Sequence, residues 1–257
     1  ELGVHGPGGK TENLDVGDAF HLGLEAYYRA LQRGESWGSA TKCAWDLLGP
    51  LQRVASYADI ESLLERMLTS YFEYAEKDTW RVIAVEEELL YRDAGLDYST
   101  RLDLVVADDD GMWIVEHKSA KVITDNMMTG YLLDLQTLGQ IWMMHACVDL
   151  TKYPPFKGVL VNMTSKQKTA RHERVKVVAT NAHLAMFEAS LRQRKQQRAH
   201  AASLGYPRTL GNCSGPAQYF GVCTYFDLCH GRPDFSLAGV DKLTAEDLPF
   251  GFTVNDD

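Results

Sequence analysis

The segment Arg101–Lys121, RLDLVVADDDGMWIVEHKSAK, constrains this chain more than any other. Two apolar runs, LVV and WIV, flank a DDDG turn, the pattern of a β-hairpin. Side chains alternate across a strand, so Glu116 and Lys118 share a face. With a four-residue loop at Asp108–Gly111, Ala107 pairs with Met112 and Asp103 sits opposite Glu116. With a two-residue turn at Asp110–Gly111, Asp103 sits opposite Lys118 instead. Both registers put all three ionisable groups on one face, whereas a three-residue loop would separate them. Facing carboxylates repel, and burying them is costly unless something compensates. A divalent cation does so, and oxygen donors suit Mg2+ or Mn2+. Taken alone, these residues equally fit a solvated strand face with a cross-strand ion pair.

The rest of the chain reads as mixed α/β. Phe20, Leu24, Tyr27 and Leu31 recur at helical spacing from Asp15 to a stop at Gly34. Further helices are expected at 40–49, 57–78, 130–147 and 181–203, the last of them polar. Strands are expected at Trp80–Asp93, 101–107, 112–118, Phe156–Thr164 and Arg174–Thr180, with GLDY as a turn before the hairpin. The expected organisation is a single domain. It has a helical part at 15–79, a core at 80–180, and a helix with an irregular Cys-bearing cap at 181–257.

Bulk properties narrow the function. At 45% hydrophobic and 24% charged residues the chain has an ordinary globular composition. No run approaches the roughly 18–20 apolar residues of a membrane helix, and no signal peptide is visible, so no membrane partner and a cytoplasmic location are expected. A net charge of −9 counts mildly against a nucleic-acid binder. Local basic stretches count the other way: Arg192, Arg194, Lys195 and Arg198, and Lys166, Lys168, Arg171, Arg174 and Lys176. Each reads either as a solvated surface or as a contact to a phosphate backbone. Five cysteines, an odd number with Cys213, Cys223 and Cys229 clustered, suit a metal or cluster site better than a disulfide framework.

Asp103 on one strand and Glu116-His117-Lys118 on the next resemble the PD-(D/E)xK nuclease core, with Thr100 where that family often has Gly. GDAFHLGLEAYY (Gly17–Tyr28) resembles the G-x-x-x-H helix of the RecB-like branch. That branch includes the RecB and AddB nuclease domains, CRISPR-associated RecB-like exonucleases and phage exonucleases. The resemblance runs from about Gly17 to Cys229, with its parts in the family's order. It implies a restriction-endonuclease-like fold, a mixed central sheet flanked by helices, and metal-dependent hydrolysis of DNA, as an exonuclease. It implies His21, Asp103, Glu116 and the backbone carbonyl of His117 as ligands for one or two Mg2+ or Mn2+ ions. Lys118 would position water or neutralise charge. Glu86, in VIAVEEELLY, is the best match to an auxiliary carboxylate, with Glu87 and Glu88 beside it as alternatives. Gln136 matches the Gln of the branch's Q-x-x-x-Y motif, in which Gln140 replaces the Tyr.

Cys213, Cys223 and Cys229 resemble the C-terminal cysteines that hold a [4Fe–4S] cluster in iron–sulfur members of the branch. Zinc, with His230 as a further ligand, and free thiols are the alternatives. The branch's fourth cysteine precedes the histidine helix. No cysteine precedes His21 here, and Cys43 is a poor match, so that ligand lies upstream of Glu1 or the cluster site is broken. A helicase or recombination protein is an implied partner. The competing functional class is a catalytically silent DNA-binding or scaffold subunit.

Overall fold

The computed structural model describes residues 4–5, 12–49, 58–93, 95–204 and 253–254. In chain order its elements begin with β1 (Val4–His5), α1 (Glu12–Gln32), α2 (Trp37–Leu48) and α3 (Ala58–Ala75). Strands β2 (Arg81–Asp93), β3 (Leu96–Ala107) and β4 (Met112–Ala120) follow, then α4 (Asp125–Gly130) and α5 (Leu135–Cys147). β5 (Phe156–Ser165), β6 (His172–Val177), α6 (Asn181–Ser203) and β7 (Thr253–Val254) complete the chain. Two compact units result: Thr11–Leu191, and Glu1–Lys10 together with Arg192–Asp257. In the latter, β1 and β7 pair antiparallel. The three clustered cysteines at 213, 223 and 229, and His230, lie outside the described residues.

The larger unit is built on a five-stranded sheet in the order β2-β3-β4-β5-β6. All neighbours are antiparallel except β4 and β5, which run parallel. A parallel pair cannot be joined by a tight turn. The chain between them, 121–155, therefore crosses over and carries α4 and α5.

Alternation along the strands divides the core. Leu104, Val106, Trp113, Val115 and Leu160 pack with Phe20, Leu24, Leu68 and Phe72 of the N-terminal helices. Met112, Ile114, Val159, Val161 and Met163 pack on the other face with Ile141 and Met144 of α5. α5 continues outward through Leu138, Trp142 and Met143 to Phe187, the one buried residue of the polar helix α6.

Besides shifts of a few residues at other element ends, among them β6 at His172–Val177 in place of the expected Arg174–Thr180, the structure corrects the sequence reading at three places. The expected helix 130–147 is interrupted: α4 ends at Gly130, a 3-10 turn spans Tyr131–Leu133, and Asp134 caps α5 by accepting from the Gln136 and Thr137 amides. An aspartate in extended conformation satisfies the free amides of a helix start, which is why the helix begins there. GLDY is not a turn throughout: Gly95, at φ +73, makes the turn, and Leu96, Asp97 and Tyr98 already belong to β3. Arg174, read as solvated or phosphate-binding, turns inward and pairs with Asp78.

Candidate active site

The hairpin takes the four-residue loop. Ala107 pairs with Met112 and Leu104 with Val115, which sets Asp103 opposite Glu116. Asp108 closes the turn, exchanging backbone bonds with Gly111 at 2.9 and 3.3 Å and accepting on its side chain from the Asp110 and Gly111 amides. Gly111 sits at φ +146, and a Cβ there would lie 2.3 Å from the Pro155 carbonyl oxygen, so only glycine fits.

Backbone pairing of β3 with β4 stops at Leu104 and Val115. At the next step Asp103 Oδ2 takes over the ladder's part, accepting from the His117 N–H at 2.9 Å. On its other side it faces His21 Nδ1, from α1, at 3.5 Å. Glu86 reaches the same place from β2. The pairs Val85–Leu104 and Glu87–Leu102 set it opposite Asp103. Its backbone is at φ +52, a left-handed conformation uncommon for a side chain of this kind. His21, Glu86 and Asp103 each offer a ligand atom, all within 4.8 Å of one another. Glu86 also pairs with the Arg101 guanidinium at 2.8 Å.

Glu116 lies beside this group and is held differently. It is 2% exposed, and each of its two oxygens accepts at least one hydrogen bond. Oε1 accepts from Lys118 Nζ at 2.5 Å and Gln136 Nε2 at 2.7 Å, and Oε2 from Gln140 Nε2 at 2.5 Å. Gln136 Oε1 in turn accepts from Lys118 Nζ at 2.8 Å. Residues four apart share a helix face, so both α5 amides meet the carboxylate. Gln140, which sequence reasoning treated only as a missing tyrosine, is therefore part of the site. Its spacing from Gln136 was the available signal.

The electrostatics follow from crowding acids into a dry place. Burial, reinforced by the charges of Glu116 and Glu86, pushes the Asp103 carboxyl up to about 8 despite the His117 N–H. Burial also raises Glu86, against the opposing pull of Arg101. Burial lowers His21, which favours the neutral imidazole that ligates metals. Burial works against the Lys118 ammonium too, but the Glu116 carboxylate outweighs it and the pKa is raised. One imidazole and three carboxylates, served closely by a single buried-side ammonium and one mostly exposed guanidinium, form a donor set that suits a hard divalent cation.

His117 points to the opposite face of β4, into the α1–α3 layer. Of the described cysteines, Cys43 sits against Glu35 and Cys147 is exposed.

A family model for the PD-(D/E)XK nuclease superfamily matches residues 2–230, and the chain belongs to that superfamily. Among solved structures it is similar to the Eubacterium rectale protein named "Putative exonuclease", at 13% identity and a TM-score of 0.44, over 78% of this chain and 71% of that one. It is also similar to the protein named SSO0001, at 11% identity and a TM-score of 0.32, over 69% of this chain and 74% of that one. No curated protein matches. No helix among the described residues is long and apolar enough to cross a membrane.

Proposed function

We propose that this protein is a metal-dependent deoxyribonuclease of the RecB-like branch, acting as an exonuclease at the open end of the β3–β4 hairpin. The observation that carries the reading is the convergence of His21, Glu86 and Asp103 within 4.8 Å, beside a Glu116–Lys118 pair held by two glutamines. His21, Asp103 and Glu86 would hold Mg2+ or Mn2+, with Glu116 and the His117 backbone carbonyl completing the set. A divalent cation there supplies charge stabilisation for the scissile phosphate and lowers the pKa of a water at the site.

The chain's own groups do the rest. Lys118 is 27% exposed at its side chain against 2% for Glu116, so the ammonium is the part of the pair more open to a substrate phosphate. Gln136 and Glu116 fix Lys118 Nζ from two sides, which places its remaining N–H toward an attacking water or a phosphate oxygen. A fixed cation where charge develops stabilises the transition state without reorganising first. Asp103 ties the metal group to β4 through the His117 N–H.

The match over residues 2–230 supports reading the chain as one nuclease domain. The resemblance of Cys213, Cys223 and Cys229 to the C-terminal cysteines of iron–sulfur members supports a [4Fe–4S] cluster, with zinc or free thiols as the alternatives, in a role separate from the chemistry. A DNA substrate fits a cytoplasmic location and a helicase or recombination partner.

The test is cleavage of end-labelled linear and closed circular DNA in Mg2+, Mn2+ or chelator. The expected result is metal-dependent loss of linear DNA with the circle spared, and a fall on the order of 100-fold or more in Lys118→Ala. Cleavage in chelator, or full activity in Lys118→Ala, would overturn the assignment. DNA bound but uncut by the wild type would make the protein a silent binding subunit.

A further inference from the structure

The residue between Glu116 and Lys118 must point away from the site, because strand side chains alternate. In this chain it is a histidine, fully buried among aromatic rings. His117 stacks on Tyr28, with centroids 5.6 Å apart and planes 24° apart, and meets Tyr71 edge-on at 5.7 Å. An apolar side chain would fill this place at no polar cost, so the imidazole calls for another account.

Its hydrogen bonds supply one. Arg174 Nε can only donate, and it donates to Asn162 Oδ1 at 3.3 Å. That fixes the Asn162 amide: Nδ2 faces Tyr71 OH at 2.7 Å and His117 Nδ1 at 3.2 Å. An N–H facing Nδ1 requires Nδ1 to accept, so the proton of the neutral ring sits on Nε2. Nε2 has no hydrogen-bond partner. The ring is therefore held by one bond, from Asn162, and not by bonding at both ends. Asn162 is in turn held by Arg174, whose guanidinium makes two bonds to Asp78, at 2.7 and 2.6 Å. The same guanidinium lies between Tyr74 and Trp80, 4.6 and 4.2 Å from their centroids. Asp78 lies just beyond α3, His117 on β4, Asn162 on β5 and Arg174 on β6, so the chain of bonds crosses three strands beneath the site.

We infer that His117 is a positioning residue, clamped from below by Asn162, Arg174 and Asp78 so that its backbone N–H meets Asp103 and its neighbours Glu116 and Lys118 hold their places. The inference rests on the reading of that group as the active site. Where pairing of β3 with β4 has stopped, β4 lacks ladder bonds on that edge. The Asn162 bond is made on the opposite edge, where β4 stays paired with β5 through His117 and Asn162, so it adds a side-chain hold to the one edge whose ladder continues past the site.

The test compares His117→Leu, Asn162→Leu, the double variant and Asp78→Asn with the wild type. The measurements are kcat, KM for linear DNA, the Mn2+ concentration giving half-maximal rate, Mn2+ binding by calorimetry, and the melting temperature in chelator. Leucine keeps the layer filled and apolar. His117→Leu is expected to lower kcat, or weaken Mn2+ binding, roughly 10-fold while KM for DNA and melting temperature stay near wild type. Asn162→Leu should do the same, and the double variant should be no worse than either single one, because both cut one chain of bonds. Asp78→Asn, furthest from the site, should show a smaller loss of the same kind. Lower melting temperatures with kcat and Mn2+ binding unchanged would overturn the inference, as would single losses that multiply in the double variant. A wild type that cuts no DNA would overturn the nuclease reading alone, since calorimetry still decides whether His117 sets the metal site.

Discussion

At its turn the β3–β4 hairpin is held by backbone bonds and apolar packing; at its open end it is held by side chains. The turn end pairs Ala107 with Met112 and Val105 with Ile114, with Val105, Met112 and Ile114 all buried. The open end has a carboxylate accepting a strand N–H, two helix amides on a buried glutamate, and a histidine clamped from the far face. Ladder bonds and packing give rigidity without chemistry. Side-chain bonds leave donors and acceptors that a metal or substrate can take over.

That contrast can be broken from either end. Ile114→Ala opens a cavity at the turn end and should destabilise the fold by about 3 kcal/mol, read by urea unfolding, with activity per folded molecule nearly unchanged. A large loss of kcat in the folded variant would show that the two ends are not separable.

Asp103→Asn should have a smaller effect of the opposite sign. The Asp103 carboxyl is pushed up to about 8, chiefly by burial, whereas an unfolded aspartate titrates near ~4. The folded, metal-free protein holds the extra proton between those values, so its stability falls as pH rises through that window. In chelator at pH 8 the variant should therefore melt about 2–4 °C above wild type. Excess Mn2+ should reverse the order, because it stabilises only a chain that binds it. A variant that melts lower in chelator would mean that the His117 N–H bond outweighs the repulsion.

Gln140→Met should be gentlest. It removes one of the three donors to Glu116 and also a buried amide oxygen with no partner. Stability should hold, and kcat should fall about 5-fold, near 1 kcal/mol. No change in kcat would assign the hold on Glu116 to Gln136 and Lys118.

Local features of the fold and site were legible in the sequence because alternation and turn chemistry are local. The hairpin itself and the shared face of Glu116 and Lys118 follow from alternation, but the choice between the two registers does not, and His21 and Gln136 were marked only by their resemblance to family motifs. The break before α5 was missed although Asp134 is a good cap, because the apolar pattern runs across it. The spacing of Gln140 from Gln136 was legible, but that the two amides meet on Glu116 depends on how α5 packs on β4. The His117–Asn162–Arg174–Asp78 chain leaves no local trace: its members come from three strands and a segment after α3. Arg174 in particular looks like any surface arginine until Asp78 and Trp80 are placed against it.

The parallel step between β4 and β5 has a consequence in time. Asp103, Glu116 and Lys118 come together through a turn of four residues, a short loop to close. The two amides that seat Glu116 arrive on the crossover, and β5 can pair only once some thirty-five residues have been laid across the sheet. The chain thus acquires its buried acids early and their restraint late. In chain order, Asp103, Glu116 and Lys118 precede Gln136 and Gln140, so the acids leave the ribosome before the amides that aim Lys118.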